Sequence, residues 1–276
     1  GEPYWDSPFG KGRPGWHIEC SAMSRHYIGD TIDIHGGGSD LIFPHHENEI
    51  AQSECATGSP LAKIWMHNGM LNVDNKKMSK SAGNFFMVRD LSAKYGYEPI
   101  RFMLLSVHYR SQLNYTLEVI ESCKAALARL YTCRDSMERV LGSAGDGEAK
   151  AETLADVKTA REGFVKAMED DFNTADAIAA VFELVRRINT ALASSDVTKG
   201  DIKAYQDEFT ALTNVLGLLY NKKDDEIPAE ITELIEERKA ARKAKDFAKA
   251  DAIRDKITEM GYIVEETRQG TVVRKG

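Results

Sequence analysis

Between positions 117 and 216 the apolar residues recur three and four apart: Leu117, Ile120, Leu127, Leu130; then Ile178, Val181, Phe182, Val185, Ile188; then Ile202, Tyr205, Phe209, Leu212, Leu216. That spacing gathers each set on one face of a helix, and the three stripes together predict one α-helical bundle. Glycine and small polar residues at 142–147 and 194–200 interrupt the stripes over lengths that suit helix connections. A further boundary is expected at 221–228. Beyond it, 231–260 predicts a helix or a helix pair, and 262–265 and 271–274 predict two short strands turned at Gln269-Gly270. The front differs in kind. All seven histidines lie between His17 and His108 and all three tryptophans between Trp5 and Trp65, which places the chemistry there.

With 276 residues, 42% of them hydrophobic, the chain can bury a large core, and disorder is excluded. No apolar run approaches the roughly 18 residues of a membrane span, and Gly1-Glu2-Pro3-Tyr4-Trp5 lacks the basic-then-apolar start of a secretion signal. The expectation is a cytoplasmic protein without membrane contact. In a reducing compartment Cys20, Cys55, Cys123 and Cys133 read as free thiols or metal ligands. The net charge of -7 argues against nucleic-acid affinity carried by bulk charge and leaves room for a local basic surface.

Residues 32–35 predict a short strand running into Gly36-Gly37-Gly38-Ser39-Asp40, a loop whose backbone can approach a ligand closely. Pro44 suits the first position of a helix, which would put His45 and Glu49, four apart, on one face. With the thiolate of Cys20 they supply three ligands of a tetrahedral zinc site; spacing suggests no fourth. The same residues also allow a solvated His-His cap and a buried structural thiol. Zinc with an open position would prefer a thiol to a hydroxyl, since it binds sulfur as thiolate. Further on, Asn75-Lys76-Lys77-Met78-Ser79-Lys80-Ser81-Ala82-Gly83-Asn84 reads as a mobile cationic loop suited to polyphosphate, or as plain solvated charge.

The string Lys77-Met78-Ser79-Lys80-Ser81 resembles the signature loop of class I aminoacyl-tRNA synthetases. Gly15-Trp16-His17-Ile18-Glu19-Cys20, taken with the stretch His35 to Glu49, resembles the cysteinyl-tRNA synthetase family, and the likeness runs the length of the chain. The resemblance implies an α/β, Rossmann-like class I catalytic portion over 1–87 and a connecting, stem-contact segment over 88–114. A tRNA-binding helical bundle over 115–221 and a small α+β anticodon-reading domain over 228–276 would follow. It implies zinc held by Cys20, His45 and Glu49, with Trp16 and His35 lining the cysteine pocket. Gly37, Gly38, Ser39 and Asp40 would bind ATP or the adenylate, and Lys80 with Lys77 would stabilise adenylation. ATP with Mg2+, L-cysteine and tRNA(Cys) are the implied substrates, the enzyme being a monomer.

Two parts of the family pattern are missing: the His-Ile-Gly-His type motif and the cysteine that supplies a fourth zinc ligand. The string His26-Tyr27-Ile28-Gly29-Asp30 does not replace the former. The expectation is therefore a C-terminal fragment, inactive alone. Charge is segregated in the tail: 236–256 holds eight basic against five acidic residues, and 222–237 two against seven. Arg242, Phe247, Asp251 and Glu266 are the candidate anticodon contacts, since single-stranded bases stack on aromatics and bond on their edges. Two alternatives stay open: the cysteine ligase of mycothiol synthesis, whose likeness should end before an anticodon domain, and a noncatalytic tRNA-binding module.

Overall fold

The computed structural model describes residues 2–79, 83–220, 229–244, 246–267 and 270–275. The chain divides into two compact units, 1–219 and 220–276. The first opens with a small hairpin, β1 (Trp5–Ser7) and β2 (Gly10–Gly12), followed by α1 (Trp16–Tyr27) and β3 (Ile32–Gly38). A single 3-10 turn (Ser39–Leu41) and a wide π-type turn (Ile42–His46) then lead into α2 (Glu47–Thr57) and β4 (Ala62–Asn68). Strands β3 and β4 pair in parallel, so α2 is the crossover of a βαβ unit. Their register sets His35 opposite Trp65 and Gly37 opposite His67. By the two-residue repeat of a strand, all four positions look out on one face.

Two local expectations are corrected. The three glycines are not a loop; β3 continues through Gly38. Their role is close approach: a Cβ on Gly37 would lie 2.9 Å from His46 Cε1 and 3.0 Å from Leu41 Cδ1, and one on Gly36 3.1 Å from the Met66 carbonyl. Regular α-helix begins at Glu47 rather than at Pro44, because Phe43 is extended (φ -131°, ψ 133°) and the turn after it is wide. That turn carries both His45 and His46 inward, where they are 5% and 3% exposed.

Strand β5 (Leu71–Val73) pairs antiparallel with β6 (Lys76–Lys77) and parallel with β7 (Leu113–Tyr115). Asp74 and Asn75, at φ 49° and 62°, form the two-residue left-handed turn that matches hairpin twist. The first part of the lysine run is thus strand rather than loop. Helices α3 (Val88–Tyr95) and α4 (Tyr97–Leu105) lie between β6 and β7 in sequence.

The bundle has four helices: α5 (Leu117–Leu141), α6 (Ala151–Glu169), α7 (Thr174–Leu192) and α8 (Lys199–Leu216). The stripes on α5, α7 and α8 face its core, Leu117 excepted, which is exposed. Helix α6 is the element that the stripes do not mark: its core-facing row alternates small and large residues, Val157, Ala160, Phe164, Ala167 and Met168. Thr116, Asn173 and Thr198 cap α5, α7 and α8 through their side chains. Helix α4 joins the same core through Ile100, Phe102 and Met103, and its buried Glu98 accepts from the Tyr131 hydroxyl at 2.6 Å. Arg101 Nε donates to the Leu216 carbonyl at 2.7 Å, tying α4 to the end of α8.

The second unit is α9 (Ala229–Lys243), α10 (Phe247–Glu259) and the hairpin β8 (Tyr262–Thr267) with β9 (Gly270–Lys275). Ile231, Leu234, Ile253 and Ile257 form its core. The expected Gln269 of the hairpin turn and the 221–228 break lie outside the described residues. Among the described residues no helix is long and apolar enough to cross a membrane.

Candidate metal centre

Glu49 is the centre of the site. Its side chain sits in the first turn of α2, 1% exposed, with Oε1 2.9 Å from His45 Nε2 and Oε2 2.7 Å from His35 Nε2. Oε2 is close to His35 but finds no hydrogen bond of good geometry, a buried carboxylate oxygen left without one. The ligand atoms of Cys20, His45 and Glu49 lie within 4.8 Å of one another, and so do those of His35, His46 and Glu49. Helix α1 delivers Cys20 and the π-type turn delivers the two imidazoles.

A second layer holds these groups. His17 Nδ1 and His45 Nδ1 are 2.7 Å apart, which leaves His45 Nε2 directed at the carboxylate. His46 Nδ1 meets His67 Nε2 at 2.8 Å. Trp16 covers His45 with ring centroids 4.1 Å apart, and Trp65 lies edge-on to His35 at 4.7 Å. Burial pushes the Cys20 thiol up, and Glu49 beside it pushes the same way. Burial also holds His46 below the ordinary imidazole range, with His35 adding to the effect. A pocket with one buried carboxylate, one partly buried thiol and several imidazoles is a donor set for a divalent cation of zinc's type, which alone among these partners would favour the thiolate.

The other predicted residues fall into three groups. Trp16 and His35 line this pocket. Gly37 and Gly38 end β3, and exposed Ser39 and Asp40 form the turn beyond it, at the carboxyl edge where open parallel sheets bind ligands. Lys77 is exposed on β6; Lys80 lies outside the described residues. Around the lysine loop, Asn84 accepts from Ser79 N at 2.9 Å and donates to the Lys77 carbonyl at 3.1 Å, closing its base. In the second unit Arg242 on α9 is exposed, Phe247 opens α10 at 60% exposure, and Asp251 pairs with Arg254 at 3.2 Å. Glu266 is on β8, opposite Thr271.

His17, His46, His67 and Trp65 complete the pocket and were not singled out by sequence. The signals for them were the crowding of histidines at the front and the double histidine at 45 and 46.

Three family models match the chain: tRNA synthetases class I (C) catalytic domain over 1–125, DALR domain over 163–220, and cysteinyl-tRNA ligase anticodon binding domain over 224–274. A cysteine-tRNA ligase of Caldicellulosiruptor saccharolyticus is 50% identical over 100% of this chain and 59% of its own length. One of Lachnospira eligens is 50% identical over 98% of the chain and 58% of its length. The chain thus spans somewhat under two thirds of these relatives. Among solved structures, the Agrobacterium radiobacter K84 agnB2 LeuRS, in a ternary complex with tRNA and LeuAMS, matches with a TM-score of 0.52 at 17% identity. That likeness covers 68% of this chain and 28% of the other, and bears on the fold.

Proposed function

We propose, for a chain that belongs to the cysteinyl-tRNA synthetase family of class I, that it carries the cysteine-selecting and tRNA-reading portions of a cysteine-tRNA ligase. The reaction is ATP-dependent activation of L-cysteine to cysteinyl-AMP, then transfer to tRNA(Cys). The observation that carries this reading is the meeting of Cys20, His45 and Glu49 within 4.8 Å around a buried carboxylate. The anticodon-domain match over 224–274 speaks against the mycothiol ligase, for which no such domain is expected.

Cys20, His45 and Glu49 are the residues that would hold zinc. Zinc held by these residues would supply an affinity for sulfur that favours the thiolate form of the substrate. His17 fixes the ring of His45, while Trp16 and His35 close the pocket around the amino acid. Serine leaves such a site poorly satisfied, and a site built around one polar contact can reject the analogue lacking it by about 10^4-fold, without editing.

Backbone at Gly37 and Gly38, with Ser39 and Asp40 beyond, receives the adenylate. The substrate carboxylate attacks the α-phosphorus of ATP and pyrophosphate leaves. Lys77 and Lys80 offset the charge on the transferring group, with Mg2+ on the phosphates. Residues 1–87 form the catalytic portion, 88–114 the connection, 115–221 the tRNA-facing bundle and 228–276 the anticodon reader. Arg242, Phe247, Asp251 and Glu266 are its proposed base contacts, and exposed Phe247 supports this by offering a stacking face. The working form is a cytoplasmic monomer.

The test is cysteine-dependent pyrophosphate exchange, measured with the chain joined to the part of a relative that it does not span. Exchange should appear and vanish in Lys80→Ala and in Cys20→Ser. Exchange that survives both substitutions contradicts the assigned roles.

A further inference from the structure

The turn between α6 and α7 holds two successive non-glycine residues at positive φ, Asp171 at 54° and Phe172 at 57°. Aspartate tolerates this conformation, but a bulky aromatic adopts it only where its surroundings hold it. One restraint is local: Phe172 N donates to the Met168 carbonyl at 3.1 Å, and Asn173 N to that of Ala167 at 3.1 Å. The other comes from far along the chain. The Asp171 carboxylate accepts from the Tyr109 hydroxyl at 2.8 Å and from Arg110 Nε at 2.5 Å, with His108 Nε2 3.8 Å away. An exposed ion pair contributes little by itself, yet this carboxylate spends both oxygens on neighbouring residues of one short segment.

That segment bears on the metal pocket. The Tyr109 carbonyl accepts from Gly69 N at 2.7 Å, and a Cβ on Gly69 would lie 2.1 Å from the Ser111 carbonyl oxygen, so residues 109–111 rest directly on Gly69. Gly69 follows β4, whose end carries His67, and His67 is the partner of buried His46.

We propose that Asp171 is a positioning residue for the pocket: by clamping Tyr109 and Arg110 it fixes the carboxyl end of β4 and so holds His67 against His46. The bundle and the metal pocket are then joined mechanically at the α6–α7 turn. The inference rests on the proposed function only for what the pocket binds, not for the coupling itself.

The test uses the full chain with 15N-labelled histidine. The unsubstituted protein should give an imidazole N–H signal from the His46–His67 pair, protected from solvent exchange and assigned apart from that of the His17–His45 pair by its loss in His67→Gln. Asp171→Asn keeps the left-handed backbone and removes the charge. It should leave the far-UV spectrum intact and speed exchange of that signal about tenfold, the worth of one hydrogen bond. Glu183→Gln, which removes another carboxylate paired with arginines on the bundle surface, should leave it unchanged. An unaltered signal in folded Asp171→Asn overturns the proposal. Should that variant not fold, Tyr109→Phe removes one of the two bonds and should give a smaller change in the same direction; no change there overturns the proposal equally. Calorimetry of cysteine with zinc separates the two claims, since failure of the unsubstituted chain to bind cysteine counts against the proposed function and leaves the exchange result to judge Asp171.

Discussion

Asp201→Ala should cost the first unit about 3–5 kcal/mol, because one buried carboxylate there closes two helix starts. Asp201 is 2% exposed. It accepts from Lys150 N and from Thr153 Oγ1, both at 2.7 Å, at the start of α6, and from Thr198 N at 3.1 Å in the capping box of α8. Removal leaves three buried or half-buried donors unpaired, each worth roughly 1–3 kcal/mol when it faces a charged acceptor. For a unit of 219 residues, at about 2–4 °C per kcal/mol, the midpoint of thermal unfolding should fall by roughly 10 °C.

Burial alone would raise this carboxyl, but the hydrogen bonds from Lys150, Thr153 and Thr198 outweigh it and hold Asp201 below the usual range. A group depressed in the folded state stabilises above its unfolded value and loses that contribution as pH falls through the folded one. The gap between the unsubstituted chain and Asp201→Ala should therefore be full at pH 7 and narrow below about pH 4. Asp196, exposed and paired with Lys150 at 2.8 Å, is the control; its replacement by alanine should cost under about 1 kcal/mol. Urea and thermal unfolding of both variants at pH 7 read the difference. Equal losses for Asp201→Ala and Asp196→Ala would refute the capping argument.

Gly37→Ala should lower metal affinity and cost about 1–3 kcal/mol by overpacking, since the new methyl meets the buried His46 ring at 2.9 Å. Zinc titration with thermal unfolding checks both, and an unperturbed variant would mean that the glycine is not there for His46. Phe247→Ala should leave stability within about 0.5 kcal/mol, the side chain being exposed, and weaken tRNA(Cys) binding by roughly 1–3 kcal/mol if a base stacks on it. Filter binding beside thermal unfolding separates those outcomes.

The stripes on α5, α7 and α8 were legible because large residues at helical spacing face one core, whereas on α6 Ala160 and Ala167 interrupt the row of Val157, Phe164 and Met168. At the site, the four-residue spacing of His45 and Glu49 was enough to place them together, although the helix start was wrong: Pro44 follows extended Phe43 through a wide turn instead of opening an α-helix. The inward turn of His46 arises from that same wide turn, which residue spacing does not reveal. His67 and Trp65 enter through the register of β3 with β4, a pairing between strands that no local pattern specifies. The glycines misled because a strand carrying three of them looks like a loop, when each absent side chain makes room for a neighbour.

Cobalt titration of the chain tests the central claim most directly, because a thiolate bound to Co2+ gives a charge-transfer band that imidazole and carboxylate do not. One equivalent should develop the band. Cys20→Ser should abolish it while Cys55→Ser, at an exposed thiol, leaves it intact, and free L-cysteine but not L-serine should strengthen it. A band that persists in Cys20→Ser, or that never forms in the folded chain, would contradict the metal centre on which the functional reading stands.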